Sequence, residues 1–253
     1  MNVHGIAAIY RFEMARWGRT LWQSLITPVI TTALYFVVFG SALGSRMTAM
    51  EGVSYGAFIV PGLTLLAVFM QSIFNASFGI YFPKFTGTIY ELLSAPISSF
   101  EAVIAYVGAA VTKSVILALV TLATAHLFVD VHVDHPAAML GFLVAISAGF
   151  CLFGFAIGVW AQNFEQLQII PMMVITPLTF LGGAFYSVKA LPEPWRTVTL
   201  LNPIVHVISG FRWSFYSITD VPVWSSVLVT AGIIAVCMAV IAWMFRTGYR
   251  LKQ

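Results

Sequence analysis

Charge is what this chain has least of. Only 8% of its 253 residues are Asp, Glu, Lys or Arg, against about 25% in an ordinary water-soluble domain. With 60% of the residues hydrophobic, there is too little polar surface to cover a globule in water. A soluble fold is excluded and an integral membrane protein is indicated. Cysteine is scarce as well, and Cys151 and Cys237 both sit in apolar runs, which argues against a disulfide framework. His-Glu-x-x-His does not occur, so one local signature of hydrolytic chemistry is missing. His206 and Arg212 have no nucleophile evidently matched to them, which leaves an intramembrane enzyme unsupported. The net charge of +3 is small. Where the positive residues lie bears on membrane topology, not on nucleic-acid binding.

The apolar runs predict an all-α integral membrane domain of six transmembrane helices, at 21–44, 55–82, 99–129, 137–161, 167–187 and 223–245. Each reaches the roughly 20 residues that cross a bilayer. A signal peptide competes for 21–44, but the run exceeds a 7–15-residue apolar core and no cleavage site follows. The third run is longer than a crossing needs, so its start is expected at or below the headgroups. Pro171 and Pro177 interrupt the fifth, which requires neighbours or water to satisfy the freed carbonyls. Trp22, Trp160, Trp224 and Trp243 fall at span ends, as in an aromatic belt.

Three stretches do not span. Residues 1–20 predict an amphipathic interface helix, with Ile6, Ile9, Tyr10 and Trp17 on one face and Arg11 and Arg19 opposite. Glu13 falls inside the apolar stripe, where Arg16 at i+3 can pair with it. This helix is expected to lie flat on the membrane. Residues 83–101 form a polar elbow. Thr88-Ile-Tyr-Glu91 and Ser98-Ser-Phe-Glu101 both read as capping boxes, and Pro96 breaks the chain between them. A short helix from Ile89 to Ser94 and a new one from Ser99 follow. Such an elbow is a surface for another protein to push on, or an ordinary interfacial loop. Residues 188–222 predict a re-entrant or interfacial hairpin before the last span. Pro194 opens a short helix with Trp195, Val198 and Leu201 on one side. Asn202-Pro203 stops it, and an apolar run to Tyr216 follows that is too short to cross.

Six spans place both termini on one side of the membrane. Arg11, Arg16, Arg19, Lys84, Arg246, Arg250 and Lys252 fall there, against Arg46, Lys189, Arg196 and Arg212. By the positive-inside rule the termini and the elbow are cytoplasmic. Lys113 lies within the third run, where a charge at the bilayer centre costs about 3 kcal/mol. It is expected to snorkel to the cytoplasmic headgroups, the sharper alternative being a lysine facing a polar cavity. It has no clear acidic partner. Gly108 to Ser114 imitates a phosphate loop but lacks the glycine before the lysine and a preceding strand. Asp130, His132, Asp134 and His135 are metal-ligand types, but their short loop is expected to be solvated. Gly40-x-x-x-Gly44 and Gly154-x-x-x-Gly158 offer flat faces for internal or intersubunit packing.

Together these residues resemble the permease subunit of type-2 ABC exporters, the ABC-2 transporter family, near its nodulation-factor, daunorubicin and YadH-like permeases. The resemblance covers nearly the whole chain. It rests on the basic N-terminus, the six runs, Gly87-Thr88, Glu91-Leu92-Leu93 and Pro96. Further landmarks are Gly182-Gly183-x-Phe185, Leu191-Pro192-x-Pro194-Trp195, Asn202-Pro203 and Arg212. The chain departs from the family at Ser187, where many members carry a proline. The resemblance implies one permease domain over 1–253 with no ATPase and no cofactor of its own. A second permease copy would complete the pathway, and a separate ABC ATPase subunit would hold ATP and magnesium. Thr88, Tyr90, Glu91, Leu92, Leu93 and Pro96 would form the coupling elbow. Tyr10, Arg11, Glu13, Arg16 and Trp17 would belong to the interface helix. Pro192, Trp195, Asn202, Pro203, His206 and Arg212 would belong to an external hairpin capping the pathway. It also implies a bacterial inner-membrane location and an amphipathic, lipid-linked or drug-like substrate. A stand-alone secondary carrier is the alternative, with Lys113 its one candidate ion-coupling residue.

Overall fold

The computed structural model describes residues 2–38 and 50–250. The end of the first predicted run, the Gly40 and Gly44 pair, Arg46 and Lys252 lie outside the described residues. Helices account for nearly all described secondary structure, the exception being one isolated bridge between Met50 and Val53. In order they are α1 (Val3–Arg19), α2 (Leu21–Tyr35), α3 (Tyr55–Thr86), α4 (Ile89–Ser94), α5 (Ser99–His126) and α6 (Pro136–Trp160). Then come α7 (Phe164–Ile170), α8 (Thr176–Phe180), α9 (Glu193–Leu200), α10 (Pro203–Tyr216) and α11 (Val223–Thr247).

Five described segments are long and apolar enough to cross a membrane: Leu21–Val38, Tyr55–Thr86, Ser99–His126, Pro136–Trp160 and Val223–Thr247. The fifth predicted run is built differently. A π turn over Pro171–Ile175 joins α7 to α8. Because Pro171 and Pro177 lack amide hydrogens, a regular ladder cannot form here. The wider turn lets the Thr176 amide and hydroxyl both donate to the Pro171 carbonyl. Helix α8 stops at Phe180, and Gly183 takes a φ of +75°, which glycine adopts without a Cβ penalty.

Helix α3 is the axis of the bundle. It is 32 residues long, about 48 Å at 1.5 Å per residue, and it packs on α5, α6 and α10. Leu65, Val68, Phe69 and Ile73 meet Leu143, Ile146 and Phe150 of α6 and Phe211 of α10 in the main core. The Phe69 and Phe150 rings stack 4.1 Å apart. Close approach of α6 depends on Gly154 and Gly158, where a Cβ would run into the backbones of Ile73 and Ser77. This glycine pair therefore serves internal packing. Helices α2 and α11 instead leave apolar faces bare, with Trp22, Ile30 and Leu34 on one and Trp224, Leu228 and Val236 on the other.

The bundle has two distinct ends. At one, Lys84 donates to the carbonyls of Val159 and Ala161, both at 2.9 Å, and Arg250 donates to that of Trp160 at 2.8 Å. These cations satisfy the orphan carbonyls at the α6 C-terminus. The elbow, the start of α1 and the end of α11 share this end. The opposite end holds α9, the start of α11 and the turn at Val188–Ala190.

Candidate functional site

The elbow forms where its turn residues direct. Gly87, at φ +80°, ends α3, and α4 and α5 begin at Ile89 and Ser99. Of the two predicted capping boxes, the second forms. Ser98 Oγ accepts from the Glu101 amide at 3.3 Å, while the Ser98 amide donates to Glu101 Oε2 at 2.8 Å. The first does not. Thr88 already has helical dihedrals of −67° and −9°, whereas a capping residue needs extended ones to turn its oxygen back on the helix. Its hydroxyl instead meets Thr86 Oγ1 at 3.0 Å and the Pro83 carbonyl at 3.4 Å.

Helix α4 has an anchored side and an open side. Ile89 is buried, and Leu92 packs with it in a cluster that holds Val103, Tyr106 and Ile241. Thr88, Tyr90, Glu91, Ser94 and Pro96 face outward, and Tyr90 is half exposed. Leu93 lies in the same short helix. An exposed polar and aromatic face on a fixed apolar footing is what a docking surface for a second protein requires.

Helix α1 clasps this elbow. The Asn2 amide donates to Glu101 Oε1 at 2.5 Å, and Asn2 Nδ2 donates to the Pro96 carbonyl at 3.2 Å. Gly5 sits against Ile97, with no room for a Cβ. Farther on, the Tyr10 and Thr112 hydroxyls bond at 2.9 Å. Glu13 Oε2 accepts from Lys113 Nζ at 3.0 Å and from Arg16 at 2.7 Å. These contacts show α1 running alongside α5 in the same direction. That corrects the picture of a helix lying flat on the membrane surface. The polar tip of its inner face is pinned to a transmembrane helix, while Arg11, Phe12 and Arg19 remain exposed and Trp17 is half-buried.

Lys113 is corrected on two counts. It does not snorkel, because its side chain is only 3% exposed, and it does have an acidic partner in Glu13, also 3% exposed. Glu13 looked like a flaw in an apolar stripe. A carboxylate on an inward face needs a cation on the facing helix, and that was the available signal. Arg16 completes the group with its guanidinium 5.3 Å from the Phe78 ring. Gly79 lies beside Glu13. Glu13 Oε1 and Arg16 Nη1 have no hydrogen-bond partner among the described residues.

The other end carries a second buried cation. Arg212, 1% exposed, donates to Asp220 at 3.0 Å and to the Gly183 carbonyl at 2.5 Å, and its guanidinium lies 4.0 Å from the Phe58 ring centre. Asp220 also accepts from Ser187 Oγ at 2.9 Å and the Val188 amide at 3.1 Å. Burial pulls the Arg212 pKa down from its ordinary value, and Asp220 opposes this. Asn202 accepts from the Ile204 amide and donates to the Leu178 carbonyl. His206 bridges the Leu200 carbonyl and Ser225 Oγ. Trp195 and Val198 are exposed on α9 and Leu201 just after it, while α10 is buried against α3, α6 and α11. Asp220, Gly183 and Phe58 were not marked by sequence reasoning, since nothing local links them to Arg212.

The loop rich in metal-ligand types is tied to α10. The Asp134 and His135 amides donate to the Phe215 and Ser214 carbonyls, the His135 ring stacks on Trp213 at 4.5 Å, and Ser217 donates to Asp134 at 2.7 Å. Among the described residues no group of three or more metal-ligand side chains converges.

Comparison with known proteins follows the same arrangement. Residues 4–216 match the family described as ABC-2 type transporter. The inner membrane transport permease YadH of Escherichia coli K12 is 39% identical over 224 residues, 88% of each chain. Nodulation protein J of Rhizobium leguminosarum bv. viciae is 22% identical over 219 residues, covering 81% of this chain and 80% of that one. Nodulation protein J of Rhizobium meliloti 1021 is 23% identical over 218 residues, 81% and 79% of the two chains. The chain belongs to the ABC-2 type transporter family.

Proposed function

We propose that this chain is the permease subunit of an ATP-driven exporter, with a separate ABC ATPase docking on the open face of α4. The observation that carries this is the elbow itself. It is fixed on one side by Ile89 and Leu92 and capped by Ser98, and it presents Thr88, Tyr90, Glu91 and Pro96 on the other. ATP and magnesium belong to the partner. Two permease copies form the pathway, and the substrate is amphipathic, lipid-linked or drug-like. The named relative YadH, an inner membrane transport permease, supports an inner-membrane location. The clustering of Lys84, Arg246 and Arg250 at the elbow's end supports cytoplasmic termini. In this reading the proline-broken segment from α7 to α8 is the fifth of six crossings, and α9 with α10 closes the pathway on the far side.

Motion enters at α4 and passes into α5, because Ile89 and Leu92 share an apolar cluster with Val103 and Tyr106 of α5. Helix α1 moves with them, clasped at Asn2 and locked at Glu13–Lys113. The test is Glu91→Arg. It adds no buried charge, so the bundle should fold and express normally while substrate export per ATP hydrolysed falls severalfold. Unchanged export at normal expression would remove the elbow from the mechanism.

The buried Glu13–Lys113 pair also gives the stand-alone carrier the acid it lacked in the sequence. Against that reading, Arg16 already shares the Glu13 carboxylate, so the acid is engaged by two cations.

A further inference from the structure

A cleft of about 230 Å³ opens between the first turns of α5 and the last turns of α11. Phe100 and Val103 form one wall, and Met238 and Phe245 form the other. Ser99 and Arg246 stand at one end. Polarity therefore changes along its length. From Met238 to Arg246 the α11 axis rises about 12 Å, from an apolar floor to a guanidinium. Arg246 is exposed and makes no hydrogen bond or ion pair among the described residues. The Trp243 and Tyr249 rings lie 5.3 Å apart beside it, both at the surface. Aromatic side chains of this kind mark the headgroup level of a bilayer.

We propose that this cleft binds one anionic glycerophospholipid, with the phosphate on Arg246 and one acyl chain between α5 and α11. Three observations point to this occupant. The cleft lies between two membrane-crossing helices, its walls away from Ser99 and Arg246 are apolar, and its charge complements a phosphate. A second cleft sharpens the choice. Between α6 and α11, walls that include Ala138, Gly141, Phe142 and Val227 carry no charged group at all, so nothing there selects a headgroup. The inference does not depend on the proposed function.

The probes are phosphatidylglycerol and phosphatidylcholine, added in equal amounts to the full chain purified in mild detergent, with bound lipid counted by native mass spectrometry. The chain should retain about one phosphatidylglycerol in preference to phosphatidylcholine. Arg246→Gln should lower that preference about fivefold, the effect of one basic residue at an anionic surface, and Arg246→Lys should keep most of it. Ala242→Trp, which fills the cleft, should abolish retention, while Gly141→Trp in the uncharged cleft should leave it unchanged. Thermal unfolding of each variant establishes that it is folded. Equal retention of the two lipids by the native chain would overturn the site, as would undiminished phosphatidylglycerol on folded Arg246→Gln. Efficient disulfide cross-linking of two Ala242→Cys chains would also overturn it, by assigning the face to a second copy.

Discussion

Lys113 and Arg212 are both buried cations on apolar helices, and they are held in opposite ways. Arg212 is anchored on several sides, although its Nε has no hydrogen-bond partner among the described residues. It has a carboxylate, a backbone carbonyl and an aromatic face, and its partner Asp220 is held in turn by Ser187 and Val188. The planar guanidinium suits such multiple anchoring, and the pair is neutral. Lys113 shares one carboxylate with Arg16, so that group carries a net charge of +1, and one oxygen of Glu13 lacks a partner among the described residues. The elements joined also differ. Arg212 binds α10 to the loops on either side of it and to α3, all within one end of the bundle. Lys113 binds α5 to α1, a helix that packs along α5 and reaches the elbow at Asn2 and Gly5. One contact fastens a cap. The other is a joint between the bundle and the part proposed to receive the ATPase.

The largest effect should come from breaking the Arg212 contact. Asp220→Ala leaves Arg212 buried without its counter-charge, and breaking a buried pair this way costs about 3–5 kcal/mol. Folded yield in mild detergent should collapse, and a near-native melting temperature would mean that Arg212 is not the fastening described here. A smaller loss is expected at the joint. Glu13→Gln leaves Lys113 and Arg16 facing each other, but Arg16 is 27% exposed and can turn toward water. The melting temperature should fall by less than for Asp220→Ala, and export per ATP should drop further than stability does. Exchanging the charges, Glu13→Lys with Lys113→Glu, should recover part of both, since directly paired residues are non-additive. Absence of any recovery would mean that the two side chains do not act as a pair. Smallest should be Tyr10→Phe, which removes one hydrogen bond across the same helix pair, worth about 1 kcal/mol. A melting curve on purified protein reads this directly, and a loss matching that of Glu13→Gln would shift the weight of the joint to Tyr10.

The elbow was legible because its determinants are local. Gly87, Pro96 and the Ser98–Glu101 cap act within a few residues of themselves, and the observed starts at Ile89 and Ser99 follow. Thr88 failed as a cap for an equally local reason, its helical backbone, which sequence spacing does not reveal. Asn202 and Pro203 likewise set the start of α10. The two buried cations were not legible in full. Glu13 and Lys113 are 100 residues apart in sequence, and only the packing of α1 along α5 brings them together. The fifth apolar run was legible only in part, for another reason. Hydropathy counts residues, whereas Pro171, Pro177 and Gly183 decide where a continuous helix can run.

The central claim is that the open face of α4 receives a separate ATPase. The most direct test is to purify the tagged full chain from gently solubilised native membranes and identify the subunits that come with it. The account predicts an ABC-type ATPase at about one copy per permease, lost from the Glu91→Arg preparation or retained with export uncoupled from hydrolysis. A preparation that carries no ATPase and still transports after reconstitution would contradict it.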